Sequence, residues 1–279
     1  MLRNLAVGID ASSASRVPLE QAVELAAATG ARLHLLTALG EISPLDEPLS
    51  QPGADMVVRA ALGAEDEEEP QLPADAVPPH LDQARQLCHQ RAVACRLHLH
   101  RGEPWPWLAQ EALVAQALVM GRRSLAHTQE SGLVLGRTLR RLLAAPRLPV
   151  LACARQVMAP RWGLALYLEG PESARALALT AEICVGFNIP LSVLAVAPRR
   201  EEAARLLERA RTSLYAYETN CDFQAVTGHP AEALLEIAEE QHPSLVGIPA
   251  RRTGMMPFGS SAECRVALSL PEAAVLFVP

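Results

Sequence analysis

The chain has 279 residues and a mass of 30.0 kDa, is 50% hydrophobic, 20% charged and only 4% aromatic, and carries a net charge of -6. All 25 basic residues are arginine, which excludes a P-loop lysine on phosphate, a Schiff-base lysine and a lysine general base. The negative charge is local: Glu41 to Asp75 carries ten acidic residues against Arg59, leaving +3 on the rest and no electrostatic footprint for nucleic acid.

In chain order, the first apolar run, Leu5–Ile9, reads as a strand closed by Asp10 and is too short for a signal peptide. A helical pattern over Arg16 to Ala28 follows, then a strand at Leu33–Thr37. The acidic stretch comes next, and its run Glu65 to Glu69 among Pro and Ala reads as a solvated loop. Strands are then expected at Cys95–His100, Ala117–Met120 and Val150–Cys153, with helices between them. On the first of these, His98 and His100 point to one face, with His34 on a neighbouring strand the nearest third ligand for a metal. The simpler reading is polar residues on an edge strand, and no metal site is assigned. The second series of strands is Gly163–Leu168, Leu191–Val196, Phe223–Thr227, Leu245–Gly247 and Ala274–Val278, with a helix at Pro230 to Glu240 among others. No apolar run approaches the ~18 residues of a membrane span. Cys88, Cys95, Cys153, Cys184, Cys221 and Cys264 form no C-x-x-C pair and are expected as buried, inert thiols of a cytoplasmic protein.

The second series repeats the first. Gly102-Glu103-Pro104 and Gly228-His229-Pro230 lie 126 residues apart and are each followed 19 residues on by a glycine, Gly121 and Gly247. The segment from Asp10 to Ala38 matches Glu169 to Ala197 at an offset of 159, so the first copy holds 33 extra residues that overlap the acidic stretch. Continuous apolar strands alternating with helices predict an α/β fold: two tandem doubly wound domains, each on a five-stranded parallel sheet. The expected boundaries are 1–155, with the acidic insertion at about 40–80, and 160–279.

The start Val7-Gly8-Ile9-Asp10-Ala11-Ser12, Gly102-Glu103-Pro104, the strand Leu118 to Met120 with Gly121-Arg122-Arg123, and the close Pro146 to Leu151 together resemble a universal stress protein domain. Gly228-His229-Pro230, Leu245-Val246-Gly247 and Val275 to Val278 repeat the later motifs, so the resemblance covers nearly the whole chain outside the acidic insertion. It implies an adenine-nucleotide α-hydrolase-like fold, an intramolecular pseudo-dimer paired through each domain's last strand, and a stress-response role. Further homodimerisation stays open. It also implies ATP as ligand, with magnesium only as the nucleotide's companion.

Nucleotide-binding members carry G-2x-G-9x-G-(S/T) after the fourth strand, where glycine amides and a hydroxyl cradle phosphate at a helix N-terminus, and an Asp ending the first strand that contacts adenine. Here Asp10 matches that Asp, and the first loop runs through Gly121, Arg122, Ser124 in place of the second glycine, Gly136, Arg137 and Thr138. In the second copy, Gly247 leads to Ala250 where glycine is expected, then to Gly259, Ser260 and Ser261, while Glu169 falls at the first strand's end. Arg122, Arg123, Arg137, Arg140 and Arg141 gather around the first loop, as phosphate contacts or as a solvated face. No G-x-S-x-G elbow, H-E-x-x-H or nucleophile beside a base appears. The expected function is a binding or sensing module for an adenine nucleotide or other small molecule, with no catalytic residue. Two alternatives remain: a nucleotide-independent structural or interaction module, and a weak ATPase with at most slow turnover.

Overall fold

The computed structural model describes residues 2–11, 15–39, 78–101, 104–122, 136–144, 148–157, 160–217, 219–250 and 262–279, with backbone only at Leu39, Arg101, Arg137, Ala144, Glu263 and Cys264. Within these residues the first half runs β1 (Asn4–Ile9), α1 (Arg16–Thr29), β2 (Arg32–Leu39), α2 (Pro79–Gln90), β3 (Cys95–Arg101), α3 (Pro104–Glu111), a 3-10 turn (Ala112–Val114), β4 (Ala117–Met120), α4 (Arg137–Ala144) and β5 (Val150–Ala152). The second half runs β6 (Gly163–Tyr167), α5 (Pro171–Phe187), β7 (Leu191–Ala197), α6 (Arg200–Leu214), β8 (Cys221–Thr227), α7 (Pro230–Gln241), β9 (Leu245–Pro249), α8 (Ala262–Ser269) and β10 (Ala274–Val278). The ten expected strands are all present. The acidic insertion's core, 40–77, lies outside the described residues.

The strands form one sheet in the order β3-β2-β1-β4-β5-β10-β9-β6-β7-β8. All neighbours are parallel except β5 and β10, which pair antiparallel and fuse the two halves. Each half is doubly wound: β1 to β3 step outward one way, and the chain then crosses back to place β4 on β1's other side. Inner strands are apolar on both faces because helices cover both; β4, β6 and β9 are buried along their whole length. Edge strand β8 is half-buried to exposed throughout. Helices α1, α2, α5 and α6 contribute to the core on one face, and α3, α4, α7 and α8 to the core on the other. Where β5 meets β10, Leu151 lies opposite Leu276, with Val150 opposite Phe277 and Ala152 opposite Val275. These pairs place Leu151 and Leu276 on a pseudo-two-fold axis, and fully buried Phe277 packs beside it.

Backbone hydrogen bonds fix how the halves correspond. Asp10 N–H donates to Ser15 Oγ and Leu168 N–H to Ser173 Oγ; Ala31 N–H donates to Ala26 O and Ile189 N–H to Cys184 O. Gly30 and Asn188 both cap a helix in the left-handed region. Each pair is 158 apart, one fewer than the sequence offset of 159. The difference matters because a one-residue slip moves a strand residue to the opposite face. The residue equivalent to Asp10 is therefore Leu168, not Glu169. The offset of 126 holds through β3 and β8, where Leu33 pairs Cys95 as Leu191 pairs Cys221. It becomes 128 at β4 and β9: Leu5 pairs Ala117 as Gly163 pairs Leu245.

Candidate functional site

A cavity of about 110 Å³ opens at the C-terminal ends of β1 and β4, where the strand order of the first half reverses. Asp10, Gly121, Gly136 and Thr138, all picked from the sequence, line it together. The sequence did not single out Ser15, which also lines it and locks Asp10. Ser15 Oγ accepts the Asp10 N–H at 2.8 Å and donates to Asp10 Oδ1 at 2.6 Å. Its signal was a serine five residues beyond a strand's last polar position, recurring as Ser173. Gly136 N–H donates to the Arg122 carbonyl at 2.7 Å, which closes the neck of the intervening loop and fixes the start of α4. The first turn of α4 thus lines the cavity through Thr138 and Leu139, and a helix N-terminus favours anions. The other walls, Ile9, Pro18, Leu36, Ala38, Pro104, Leu108 and Met120, are apolar. The lining thus combines a carboxylate, a hydroxyl and a helix N-terminus with apolar side chains.

His80, at the start of α2, feels the Asp10 charge, which raises its pKa, while burial lowers it more. Its buried Nε2 has no hydrogen-bond partner among the described residues.

Arg122 does not face this cavity as a phosphate ligand. Its Nε donates to Cys153 O at 2.8 Å, Nη1 to Leu268 O at 2.7 Å and Nη2 to Ala273 O, tying the end of β4 to the second half. Burial pulls its pKa down to about 10. Gly247 is likewise no loop glycine. It lies inside β9, in register with Ala165 and Leu276, and a Cβ there would stand 1.8 Å from Thr180 Oγ1 of α5. Its equivalent is Val119; the true counterpart of Gly121 is Pro249. Ala250 is buried, with its N–H on Val278 O at 2.8 Å. Ser124, Gly259, Ser260 and Ser261 lie outside the described residues, and Arg137 is described only as the first residue of α4. Of the neighbouring arginines, Arg140 is exposed and Arg141 sits over the Trp105 ring at 5.5 Å.

The family model for universal stress proteins matches residues 1–154. This chain belongs to the universal stress protein family. Solved structures extend the likeness to both halves. A universal stress protein from Archaeoglobus fulgidus is 15% identical with a TM-score of 0.71, the match covering 98% of this chain and 97% of that one. A putative universal stress protein from Pseudomonas aeruginosa is 17% identical with a TM-score of 0.62, over 99% and 92%. The cytoplasmic domain of a prokaryotic cation chloride cotransporter is 11% identical with a TM-score of 0.57, over 100% and 95%. No curated protein matches. At these identities the likeness is one of fold, here the tandem universal stress protein fold.

In the second half the equivalent strand positions are apolar and buried. Gly8, Asp10, Ala38 and Gly121 have Leu166, Leu168, Val196 and Pro249 as counterparts, all buried. Each exchange adds apolar volume where the first half keeps room.

Beneath α3 the first half also carries a polar cluster. His34 Nδ1 and His98 Nε2 are hydrogen-bonded at 2.9 Å, His98 Nδ1 lies 3.4 Å from Glu111 Oε2, and His100 stacks on Trp107 at 5.0 Å between ring centroids. His98 and His100 do share a face, but His34 contacts His98. No three His, Cys, Asp or Glu side chains group as a metal site among the described residues. Burial lowers both His34 and His98 to about 4, aided by Arg32 and Arg96 at His34 and by His34 and Arg96 at His98. Among the described residues no helix is long and apolar enough to cross a membrane.

Proposed function

We propose that this protein binds one adenine nucleotide per chain, in the first half, and works as a ligand-sensing module of the cytoplasmic stress response. Residues 1–155 and 160–279 are its two domains, the second being a fixed partner that has lost its own site. The observation that carries this reading is that Asp10 and the first turn of α4 line one cavity together with apolar side chains. An adenine amino group donates to a carboxylate, its ring fits apolar walls, and phosphate takes helix N–H groups and the Thr138 hydroxyl. Arg137 opens the same helix. A cavity of about 110 Å³ takes the ring end of such a ligand and not its whole length.

Among the described residues no base lines the cavity beside Gly136 and Thr138, and the proposal includes no turnover. The competing reading is a module that works without nucleotide, with the acidic insertion as its docking arm. Isothermal titration with ATP, ADP and cAMP, with mass spectrometry of nucleotides carried through purification, separates the readings. One site per chain is expected, with affinity falling at least ~10-fold in Asp10→Ala, the loss of about one charge-assisted hydrogen bond. No heat at millimolar nucleotide and no carried nucleotide would leave the fold and overturn the ligand. Phosphate release abolished by Asp10→Ala would favour the ATPase.

A further inference from the structure

Cys88 and Cys95 form a second site of chemistry, remote from the cavity. Cys88 sits in the last turn of α2 and Cys95 is the first residue of β3. The turn between them is tight: Arg91 and Val93 N–H both donate to Cys88 O, at 3.2 and 2.9 Å, and Ala92 takes φ 54°. This turn brings the two side chains to the same side of the sheet, where Cys95 packs against the core cluster that holds Cys88. Cys88 is fully buried and Cys95 half-buried. The neighbouring Cys95 sulfur, and burial after it, push the Cys88 thiol up, so Cys88 keeps its proton. Cys95 is then the sulfur that solvent reaches. The second half has Cys221 in place of Cys95 but Leu214 in place of Cys88, so the arrangement belongs to the first half alone.

We propose that Cys88 and Cys95 are a peroxide-oxidisable dithiol, with Cys95 the attacking and Cys88 the resolving sulfur, closing a disulfide that ties α2 to edge strand β3. Cys95 Sγ attacks one oxygen of hydrogen peroxide: an S–O bond forms, the O–O bond breaks, and the departing oxygen takes up the thiol proton to leave as water. Cys88 Sγ then attacks Cys95 Sγ: the S–S bond forms, the S–O bond breaks, and the hydroxyl leaves as a second water with the Cys88 proton. Two thiols lose two electrons to one peroxide. The pair lies seven residues apart around one tight turn and packs into one core cluster, so closure joins neighbouring elements.

The test is built into the sequence, because Arg91 lies between the cysteines. The full-length native protein is treated with hydrogen peroxide, its remaining thiols are alkylated, and it is cut after arginine. The expected product is the peptide 86–91 joined to the peptide 92–96, reversed by dithiothreitol, with four thiols left of six. In Cys88→Ser, Cys95 stops at a sulfenic acid that dimedone traps; in Cys95→Ser, Cys88 stays unmodified. Both peptides recovered separately and alkylated after peroxide would overturn the proposal, as would Cys95 joined instead to another cysteine. Circular dichroism of each serine variant reports whether it keeps the native fold, and the wild-type peptide result stands without either.

Discussion

At the end of β1 the first half places Asp10; at the equivalent point of β6 the second half places Leu168. The backbone around both is the same, down to the strand-end N–H that donates to a serine five residues on. The αL caps at Gly30 and Asn188 and the register across β5 and β10 also repeat. What differs is side-chain volume at four places around one strand crossover. The strand ladder runs through the backbone at position 8 whatever its side chain, so a half can carry buried leucine there and gain apolar burial. Leu166 and Leu168 each bring about 2 kcal/mol of it by transfer arithmetic. The second half meanwhile supplies β10 and the carbonyls of Leu268 and Ala273, which complete the sheet and hold Arg122.

The largest expected effect of a single substitution comes from forcing the halves to match at β4 and β9. Val119 in β4 has Gly247 as its counterpart, and α5 lies so close to β9 that a Cβ at 247 would meet Thr180 Oγ1 at 1.8 Å and Thr180 Cβ at 3.0 Å. Gly247→Val is expected to lower the unfolding free energy by at least ~3 kcal/mol, from overpacking and displacement of α5. Urea denaturation measures this, and Thr180→Ala in the same chain should recover a large part. A loss below ~1 kcal/mol would mean that α5 moves away freely.

A second effect separates the halves by pH. His34 and His98 have Ser192 and Gln224 as counterparts, residues that do not titrate in this range. Both imidazoles are held near 4 in the folded chain against about 6.5 unfolded, so the unfolded state binds more protons in between. The stability they leave intact above pH 6.5 is lost as pH falls from 6.5 to 4. Each ring accounts for about 3 kcal/mol of this loss by pH 4, and mutual repulsion of the two rings in the folded state does not reduce it, because both charge freely when unfolded. The double variant His34→Ser with His98→Gln should lack this part of the pH dependence. Glu111, pushed up by burial, works in the opposite sense and is present in both proteins, so it cancels in the difference. Parallel curves from pH 7 to 4 would show that the histidines are hydrated in the folded state.

The architecture was legible from the sequence because it is written in apolar runs, repeated glycines and turn residues, which are local. Ala117–Met120 and Ala274–Val278 were readable to the residue, whereas pairing through the last strands came from the family resemblance. Of the candidate site, the sequence picked out Asp10, Gly121, Gly136 and Thr138, which line one cavity. Arg122 and Gly247 were misplaced for one reason: a residue type names a capacity, and its partner decides the use. An arginine two residues past a strand is equally a phosphate ligand or a clamp on carbonyls, and only the fold shows Leu268 and Ala273 waiting for it. A strand glycine is read as a loop glycine unless helix α5 is known to lie on it. The register slip from 158 to 159 has the same origin, since apolar residues on both faces of β6 erase the alternation that would have fixed the phase.

The smallest change in stability should be the most informative about the cavity. Gly8 has Leu166 as its counterpart, and its lack of a side chain gives Met120 its place: a Cβ at Gly8 would lie 2.4 Å from Met120 Sδ and 3.8 Å from Leu108 Cδ1. Gly8→Ala therefore moves the thioether and leaves the backbone alone. Methionine is unbranched and adaptable, so the expected cost is about 1 kcal/mol. The sulfur is displaced toward the space that Met120 and Gly8 both line, and that space shrinks. Nucleotide affinity in titration should then fall about 10-fold while the melting temperature drops by only a few degrees. Met120→Ala in the same chain reopens that space and should restore binding. If Gly8→Ala binds as the parent does, the ring end of the ligand lies elsewhere, and Gly8 is there only to seat Met120 in the core.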